Sequence, residues 1–386
     1  MTRLSPSAFR QLPMFVVLVL VNLTTVVQAQ HVPTKDQWHV HRWQGRTMGT
    51  DFSITLNLPK SVPADLIERE CRAELERLEQ IFSLYRDDSE LRRLNAAVPK
   101  TWHPVSTDLA HVTATAIELS RITGGAFDPT IGPLIRVWRL HEVTDTWKPP
   151  IADAIAAARE RVGARWVEVR MDPPAVRKQL DGMELDLNAL VEGWAIDRLT
   201  AMIRARGVEN ALVQLGGEFR AIGTRPDRGS WNVGLEDPFD PSRLSARVAL
   251  KDSALSTSGD YRQAVVHEGV RYSHIIDPRT GSPIRHGCRA VTVLADDAFT
   301  ADGWATALLV LGPQEGFQLA STRGLAASFA GQSDVSPLRV TKAARRVWEC
   351  RIGETQVPSP PLTNWWLWAC VLALGLIGMI WHRTTV

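Results

Sequence analysis

The stretch FTADGWATALLVLG, residues 299–312, carries two oxygen-bearing side chains in an otherwise apolar segment that is predicted to be helical. Asp302 and Thr306 are spaced i, i+4, so a helix would project both from one face. A lone Asp near a helix start is usually a cap or a partner of the helix dipole. An Asp and a Thr that converge on one point can instead hold a hard cation such as Mg²⁺ through oxygen. The two residues alone leave both interpretations open.

Four glycine-containing turns have polar neighbours that suit a phosphate-bearing ligand. They read TGGAFDPTIGPL, VQLGGEF, LSTSGDYR and YSHIIDPRTGSP, and the last contains His274 and Asp277. Glycine lets a backbone approach a ligand closely, and hydroxyls bind phosphate oxygens. None of the four matches the phosphate-binding P-loop or the dinucleotide fingerprint. Each taken singly is also an ordinary turn sequence.

The segment ELDLNALVEGWAID, residues 184–197, places Asp186 at the end of a predicted apolar strand. Glu192 and Gly193 are then predicted to open a helix whose N-terminal amides could face an anion. The alternative is a solvated turn with a capping side chain, and the segment by itself does not decide between them.

The elements that must position these residues are a mixture of helices and strands without strict alternation, which predicts an α+β fold. Helices are predicted at residues 61–85, 106–125, 150–163, 192–208 and from 299 onward. Strands are predicted at residues 41–58, 166–170, 182–190, 210–223, 231–238, 245–259, 263–278, 288–296, 324–331 and 345–350.

The composition is that of a globular protein with no affinity for nucleic acid. Of 386 residues, 45% are hydrophobic and 22% are charged, with a formal net charge of +2. The basic residues are scattered and do not alternate with aromatic ones, so we expect no nucleic-acid partner.

Both chain ends differ from the body in ways that indicate export and membrane attachment. Residues 1–29 have the basic start, apolar run and small-residue site of a signal peptide, with an uncleaved anchor as the alternative. Residues 365–381 form an apolar run flanked by tryptophans, which predicts a transmembrane helix, or alternatively a buried core helix. A Pro-rich linker at 355–364 precedes it, and residues 382–386 would form a cytoplasmic tail. Residues 31–354 are then a single large exported domain.

Eight segments, in this order, resemble the ApbE family, the FAD:protein FMN transferases. They run from Met48 to Gly312 and read MGTDFSITL, FSLYRDDSELRRLN, TGGAFDPTIGPLIRVW, ELDLNALVEGWAID, VQLGGEFRAIG, STSGDYR, YSHIIDPRTGSPI and TADGWATALLVLG. The resemblance implies an ApbE-like, T-fold-related α+β domain. It also implies a periplasmic, Mg²⁺-dependent enzyme that cuts FAD at the pyrophosphate. The FMN is joined to a threonine or serine hydroxyl of an acceptor protein, typically a subunit of a membrane redox complex, and AMP is released.

The resemblance also assigns roles residue by residue. Asp302 and Thr306 match the metal ligands, with the backbone carbonyl of Ala189 as the third, and His274 matches a candidate general base beside the catalytic Asp302. The positions that match FAD contacts are Met48, Tyr85, Ala126, Phe127, Asp128, Asp186, Glu192 and Ile276.

Two positions depart from the pattern of many family members. Glu192 stands where many carry lysine, which predicts hydrogen bonding rather than charge neutralisation at that position. Ala305 stands where some carry a second carboxylate, which leaves one charged metal ligand and predicts a weaker metal site.

Two other functions use the same residues. One is a pyrophosphatase that splits FAD into FMN and AMP with no protein acceptor. The other is a non-catalytic, membrane-tethered flavin carrier, which would bind FAD without turnover. The expected location, from the chain ends, is the inner (cytoplasmic) membrane with the catalytic domain on the periplasmic side.

Overall fold

A computed structural model describes residues 38–140, 146–261, 264–331 and 338–347. The predicted signal peptide, Pro-rich linker, transmembrane helix and tail all lie outside these residues. Within the described ranges, no helix is both long enough and apolar enough to cross a membrane.

The strands form one large antiparallel sheet and four small ones. In chain order they are β1 (Trp38–Thr47), β2 (Thr50–Pro59), β3 (His103–Pro104), β4 (Val167–Met171), β5 (Pro174–Lys178), β6 (Ala211–Leu215), β7 (Glu218–Ile222), β8 (Trp231–Asp237), β9 (Asp240–Leu250), β10 (Ala254–Gly259), β11 (Ala264–His267), β12 (Val270–Ser273), β13 (Ile276–Asp277), β14 (Ser282–Pro283), β15 (Ala290–Ala295), β16 (Ala326–Ala330) and β17 (Arg339–Val340).

The eight-stranded sheet runs in the order β1-β2-β6-β7-β10-β15-β16-β17. The remaining described strands form the three-stranded sheet β3-β5-β4 and the pairs β8-β9, β11-β12 and β13-β14. Hairpin turns join β1 to β2 and β6 to β7, so sequence neighbours pair directly. The turn between β6 and β7 is the Gly-Gly pair singled out in the sequence.

The helices are α1 (Ala64–Phe82), α2 (Glu90–Ala96), α3 (Thr107–Ile122), α4 (Gly132–Trp138), α5 (Ala152–Arg159), α6 (Asn188–Ala205), α7 (Ala298–Arg323) and α8 (Lys342–Val347). The amphipathic spacing of α1 buries one stripe, including Ile67, Cys71, Leu75 and Leu78. Ser106 caps α3 by accepting the Leu109 N–H. Helix α7 is interrupted at Gly312, just before a proline.

Two apolar clusters hold α6 and α7 against the large sheet. The main cluster joins residues of α1, α3 and α6 to strands β2 and β6. A second cluster joins the apolar side of α7, including Leu308 and Leu309, to Val293 of β15 and Phe329 of β16. The apolar residues 307–311 of α7 are all buried, so they pack the helix in place. The two helices that carry the predicted metal ligands are therefore rigidly seated.

The α+β class and most of the predicted elements are confirmed, with three corrections. Residues 182–190 do not form a strand. Residues 183–187 lead from a turn into helix α6 and bury Met183, Leu185 and Leu187, and the one bridge described for them joins Glu184 to Ile131. Helix α6 begins at Asn188, so Glu192 lies inside the helix and does not open it. Residues 342–347 are helical, so the strand predicted at 345–350 is wrong over its described part.

Candidate active site

A cleft of about 630 Å³ brings together residues from almost the whole described chain. This volume lies within the range of roughly 300–1,000 Å³ typical of small-molecule and cofactor sites. Ten of the residues predicted from the sequence line it: Tyr85, Ala126, Phe127, Asp128, Asp186, Ala189, Glu192, His274, Ile276 and Thr306. Motifs more than two hundred positions apart in the chain, from Tyr85 to Thr306, thus converge on one site.

Two predicted residues do not line the cleft. Met48 occupies the turn between β1 and β2 with a left-handed backbone, its N–H donates to Glu79 Oε1 at 2.6 Å, and its side chain packs against the main apolar cluster. Thr50, two residues later, lines the cleft instead. Asp302 is only 5% exposed, and its neighbour along the helix, Thr306, is the one that lines the cleft.

The carboxylate of Asp302 is buried with few donors. The hydrogen bond described for it comes from the Gly193 N–H to Oδ2, at 3.0 Å. Burial raises the pKa of Asp302 well above its ordinary value, and the nearby Glu218 raises it further. A carboxylate in this state lacks positive charge around it, and a bound cation would supply that charge.

Gly193 lets α6 and α7 touch at the backbone. A Cβ on Gly193 would lie 2.5 Å from the carbonyl oxygen of Ala298 and 2.9 Å from the Cβ of Asp302. No side chain fits into that gap, so this contact requires glycine. The close approach brings the Gly193 N–H within reach of the Asp302 carboxylate.

Asp197 fixes the start of α7 from a position on α6. Its two carboxylate oxygens accept the N–H groups of Ala298 at 3.0 Å and Phe299 at 2.9 Å. Arg220 of β7 pairs with the same carboxylate. Asp297 adds a conventional N-cap by accepting the Thr300 N–H at 2.7 Å. The register of α7 against α6, and with it the position of Asp302, therefore depends on these contacts.

The half-buried Glu192 and the buried Glu218 form a carboxyl pair beside the Gly-Gly turn. Glu218 accepts from the Ser256 hydroxyl at 3.1 Å and from the Gly217 N–H at 2.9 Å. Burial, followed by the charge of Glu218 and a hydrogen bond to it, raises the pKa of Glu192 to about 11. Burial also raises the pKa of Glu218. Both pKa values are raised because two adjacent carboxylates that are shielded from water cannot both ionise at low cost.

Gly216 is the other glycine that this arrangement requires. Its φ is +59°, and a Cβ there would lie 2.1 Å from Glu192 Oε2. The Gly-Gly turn between β6 and β7 thus packs directly on the Glu192–Glu218 pair. The two glycines of VQLGGEF therefore form a hairpin turn in which Gly216 cannot be replaced by a larger residue.

Elsewhere in the cleft lining, Asp128 is held inside its own loop. Its Oδ1 accepts the N–H and the hydroxyl of Thr130 at 2.8 and 2.6 Å, and its Oδ2 accepts the Ala164 N–H at 2.9 Å. Thr130 Oγ1 in turn accepts the Gly163 N–H at 2.7 Å. The carboxylate is buried but well supplied with donors, so it shapes the loop that presents Ala126 and Phe127 to the cleft.

Asp186 connects this loop to helix α6. Its N–H donates to the carbonyl of Pro129 at 2.7 Å, and its Oδ1 accepts the Asn188 N–H at 2.9 Å. The start of α6 lies against the cleft, where Asn188 and Ala189 are lining residues. An anion at this helix start would meet the positive end of the helix dipole, as expected from the sequence but four residues earlier.

His274 and Asp277 differ in their position relative to the cleft. The carboxylate of Asp277 accepts from Arg279, which donates its backbone N–H at 2.9 Å and its guanidinium at 2.9–3.2 Å. His274 lines the cleft and is half-buried, whereas Asp277 is buried and does not line it.

The charged side chains described in the cleft lining are acidic. Among the lining residues that the structure describes there is no lysine or arginine. The carboxylates that line it are Asp128, Asp186, Glu192, Glu218 and Glu236. A pyrophosphate bound here would meet carboxylates and backbone amides, so its charge would have to be balanced by a cation.

The donor set at the α6–α7 contact fits Mg²⁺. Magnesium takes hard oxygen ligands, needs few of them from protein, and keeps water or phosphate in its other positions. Asp302, Thr306 and the Ala189 carbonyl provide such oxygens. Across the described residues, no three His, Cys, Asp or Glu side chains gather as a conventional metal cluster. Water or substrate phosphates would take the remaining coordination positions of such a cation.

Ala305 faces away from this site. It is fully buried and belongs to the apolar cluster that α7 forms with β15 and β16. A carboxylate at position 305 would enter that cluster, at a high cost in desolvation. The expectation that Ala305 leaves a gap among the ligands therefore has no counterpart in this fold.

Several lining residues were not singled out from the sequence. They are Thr50, Gln214, Glu218, Glu236, Thr257, Ser258 and Tyr261. The two hydroxyls before Gly259 were a visible signal for Thr257 and Ser258. Glu218 had no signal of its own, because its role depends on contact with Glu192 of a different element.

Comparison with known proteins agrees with this geometry. The ApbE family model matches residues 48–329. The FAD:protein FMN transferases of Klebsiella pneumoniae and Vibrio cholerae are 33% and 34% identical, covering 73% and 72% of this chain and 81% and 83% of theirs.

A solved structure gives the same result for the fold. The apo flavinyl transferase ApbE of Pseudomonas stutzeri superposes with a TM-score of 0.74 at 33% identity, covering 81% of this chain and 97% of that one. The match includes every motif that lines the cleft, from Tyr85 to Thr306. The chain belongs to the ApbE family.

Proposed function

We propose that this protein transfers FMN from FAD to a threonine or serine hydroxyl of an acceptor protein, in a Mg²⁺-dependent reaction that releases AMP. The enzyme class follows from family membership, since relatives that align over most of this chain carry the name FAD:protein FMN transferase. The remaining parts of the proposal are argued from the cleft.

The observation that carries the proposal is the carboxylate-lined cleft with no described lysine or arginine. Cleavage of a pyrophosphate requires that its charge be neutralised. Asp302, Thr306 and the carbonyl of Ala189 would hold Mg²⁺, and a bound Mg²⁺ would neutralise the pyrophosphate and the leaving phosphate. Backbone groups at the start of α6 and at the Gly216–Gly217 turn would contact the substrate and orient it.

His274 supplies the proton transfer in this proposal. The acceptor hydroxyl oxygen forms a bond to the FMN phosphorus, and the bond between that phosphorus and the bridging oxygen of the pyrophosphate breaks. AMP departs with the bridging oxygen, and the hydroxyl proton passes to His274. Glu192 and Glu218, whose pKa values are both raised, would hydrogen-bond the ligand without adding two full negative charges.

The acceptor and the location are proposed from the chain ends. Residues 1–29 would direct export, and residues 365–381, joined by the linker at 355–364, would anchor the domain at 31–354 to the periplasmic side of the inner membrane. An enzyme held there lies beside membrane redox complexes that face the same side. Their subunits are the acceptors we propose.

The experiment is a product analysis on the full-length protein co-expressed with candidate redox-complex subunits. We expect flavin fluorescence that stays with the acceptor after denaturing electrophoresis, one AMP per flavin attached, and loss of both in Asp302→Ala and His274→Ala. Free FMN as the only flavin product, with every acceptor tested, would assign the chain as an FAD pyrophosphatase. Tight FAD binding with no AMP from the wild type would identify a flavin carrier.

A further inference from the structure

Thr306 has a hydroxyl neighbour that no motif assigned. Ser258 Oγ, on strand β10, lies 2.9 Å from Thr306 Oγ1 on helix α7. Both residues line the cleft, and both are half-buried. The contact joins the sheet to the helix that carries the proposed metal ligands.

The chemistry of a hydroxyl ligand decides the direction of this hydrogen bond. A hydroxyl that coordinates a cation does so through its oxygen lone pairs, so its hydrogen must point away from the cation and be donated elsewhere. Ser258 Oγ is within hydrogen-bond distance to accept it. Accepting from Thr306 leaves the Ser258 hydrogen available for donation toward the cleft.

We propose that Ser258 is a positioning residue that orients Thr306 for Mg²⁺ and donates its own hydroxyl hydrogen to an oxygen of the bound pyrophosphate. The inference rests on the proposed function, because it requires Mg²⁺ and a phosphate-bearing substrate in this cleft. Two hydroxyls in a chain strengthen each other when a cation polarises the first, so the effect on affinity exceeds that of an isolated hydrogen bond.

The chain contains a matched control pair on the same strand. Thr257 Oγ1 and Thr292 Oγ1 also lie 2.9 Å apart, in register between β10 and β15. Thr292 is buried and does not line the cleft. Thr292→Val therefore removes the same type of hydroxyl contact from the same sheet without touching Thr306.

The test measures Mg²⁺ binding by isothermal titration calorimetry on metal-free, full-length protein, with no FAD present. For Ser258→Ala we expect the Mg²⁺ dissociation constant to rise about tenfold, as for other residues that orient a metal ligand. Ser258→Thr keeps the acceptor and should restore affinity to within about twofold. Ser258→Cys, which is nearly isosteric with a poor acceptor, should behave like Ser258→Ala.

A second readout separates positioning from simple loss of structure. Saturating Mg²⁺ should recover most of the AMP release by Ser258→Ala, whereas a folding defect would not respond to the metal. Unchanged Mg²⁺ affinity in both Ser258→Ala and Ser258→Cys, or an equal loss in Thr292→Val, overturns the role of Ser258 while the proposed function stands. A wild-type protein that releases AMP without binding Mg²⁺ overturns both.

Discussion

Two buried carboxylates, Asp128 in the cleft lining and Asp302 behind it, have opposite surroundings. Asp128 accepts three hydrogen bonds from its own loop and from Ala164. Asp302 accepts one from Gly193 and lies close to Glu192 and Glu218, whose pKa values are raised by burial. A carboxylate that accepts several hydrogen bonds stabilises a loop, whereas a carboxylate with few donors can bind a cation or a proton.

The difference has a structural origin. The donors around Asp128 come from a short loop and a neighbouring 3-10 turn, so local chain geometry satisfies it. Asp302 projects from the inside of a helix whose amides are already paired, and its donor comes from α6 across a backbone contact. The first arrangement is complete in the protein alone, and the second is completed by a ligand.

The largest expected effect is on activity, and it comes from Asp302, the carboxylate with few hydrogen-bond donors. Asp302→Ala removes the only charged ligand in the proposed metal set, and we expect AMP release from FAD to fall by at least about 10³-fold, since a Lewis-acid cation contributes several kcal/mol to such a step. Chromatographic quantification of AMP measures this. Release at more than a tenth of the wild-type rate would contradict the role of Asp302.

The next effect is on stability, and it comes from Asp128, the carboxylate with many hydrogen-bond donors. Asp128→Ala leaves the Thr130 N–H and hydroxyl and the Ala164 N–H without their acceptor, and should cost about 3 kcal/mol of unfolding free energy. Urea unfolding followed by circular dichroism checks this. Mg²⁺ affinity of the folded fraction should stay within about twofold of wild type. A large loss of Mg²⁺ affinity with unchanged stability would contradict the assignment of Asp128 to loop stability rather than to cation binding.

A smaller effect is expected from the contact that sets helix register. Asp197→Asn keeps one acceptor for the α7 amides but leaves Arg220 without its charge partner, and should cost about 2 kcal/mol. A shift of α7 also moves Asp302, so Mg²⁺ affinity should fall about tenfold.

Asp297→Asn at the N-cap of the same helix is the matched control for Asp197→Asn. Asparagine caps helices about as well as aspartate, so this variant should lose less than about 0.5 kcal/mol and keep its Mg²⁺ affinity. Equal losses in the two variants would mean that Asp197 acts only as a cap.

The smallest effect is the pH dependence contributed by Glu192. Its pKa is about 11 in the folded protein against an ordinary value of 4.5, so the folded state binds more protons than the unfolded state between these values. Stability contributed by this group is therefore lost as pH rises through that window. Carboxylates whose pKa is lowered in the folded protein, such as Glu74, change the stability only below pH 4.5. They do not contribute to the loss of stability at higher pH.

The measurement is the melting temperature in EDTA at about pH 6 and about pH 9. The wild type should lose several degrees more than Glu192→Gln, which stays neutral at both values. An identical decline in the two proteins would show that Glu192 is already ionised at neutral pH.

Local sequence patterns predicted the long elements well and the short ones poorly. Periodic apolar residues predicted α1, α3 and α7, because burial of one face is written into the spacing. The alternation of Met183, Leu185 and Leu187 predicted a strand that is absent. Period-two burial reports which side chains face the core, and it does not report whether a partner strand is present.

The site was predictable where its residues carry chemistry within one motif. Asp302 and Thr306 are one helical turn apart, and the turns around Asp128 and His274 are recognisable from their glycines and polar neighbours. The contacts of Glu218, Asp197 and Ser258 were not predicted, because the partner of each lies more than twenty positions away. Such pairs become visible only when the fold brings the elements together.

A Mg²⁺ titration of the metal-free protein with FAD bound, comparing wild type, Asp302→Ala and Asp128→Asn by calorimetry, shows whether Asp302 holds the cation. We expect one Mg²⁺ per wild-type chain, no detectable binding by Asp302→Ala, and wild-type affinity within about twofold for Asp128→Asn. Equal Mg²⁺ binding by Asp302→Ala and the wild type, or none by the wild type, would contradict this role of Asp302.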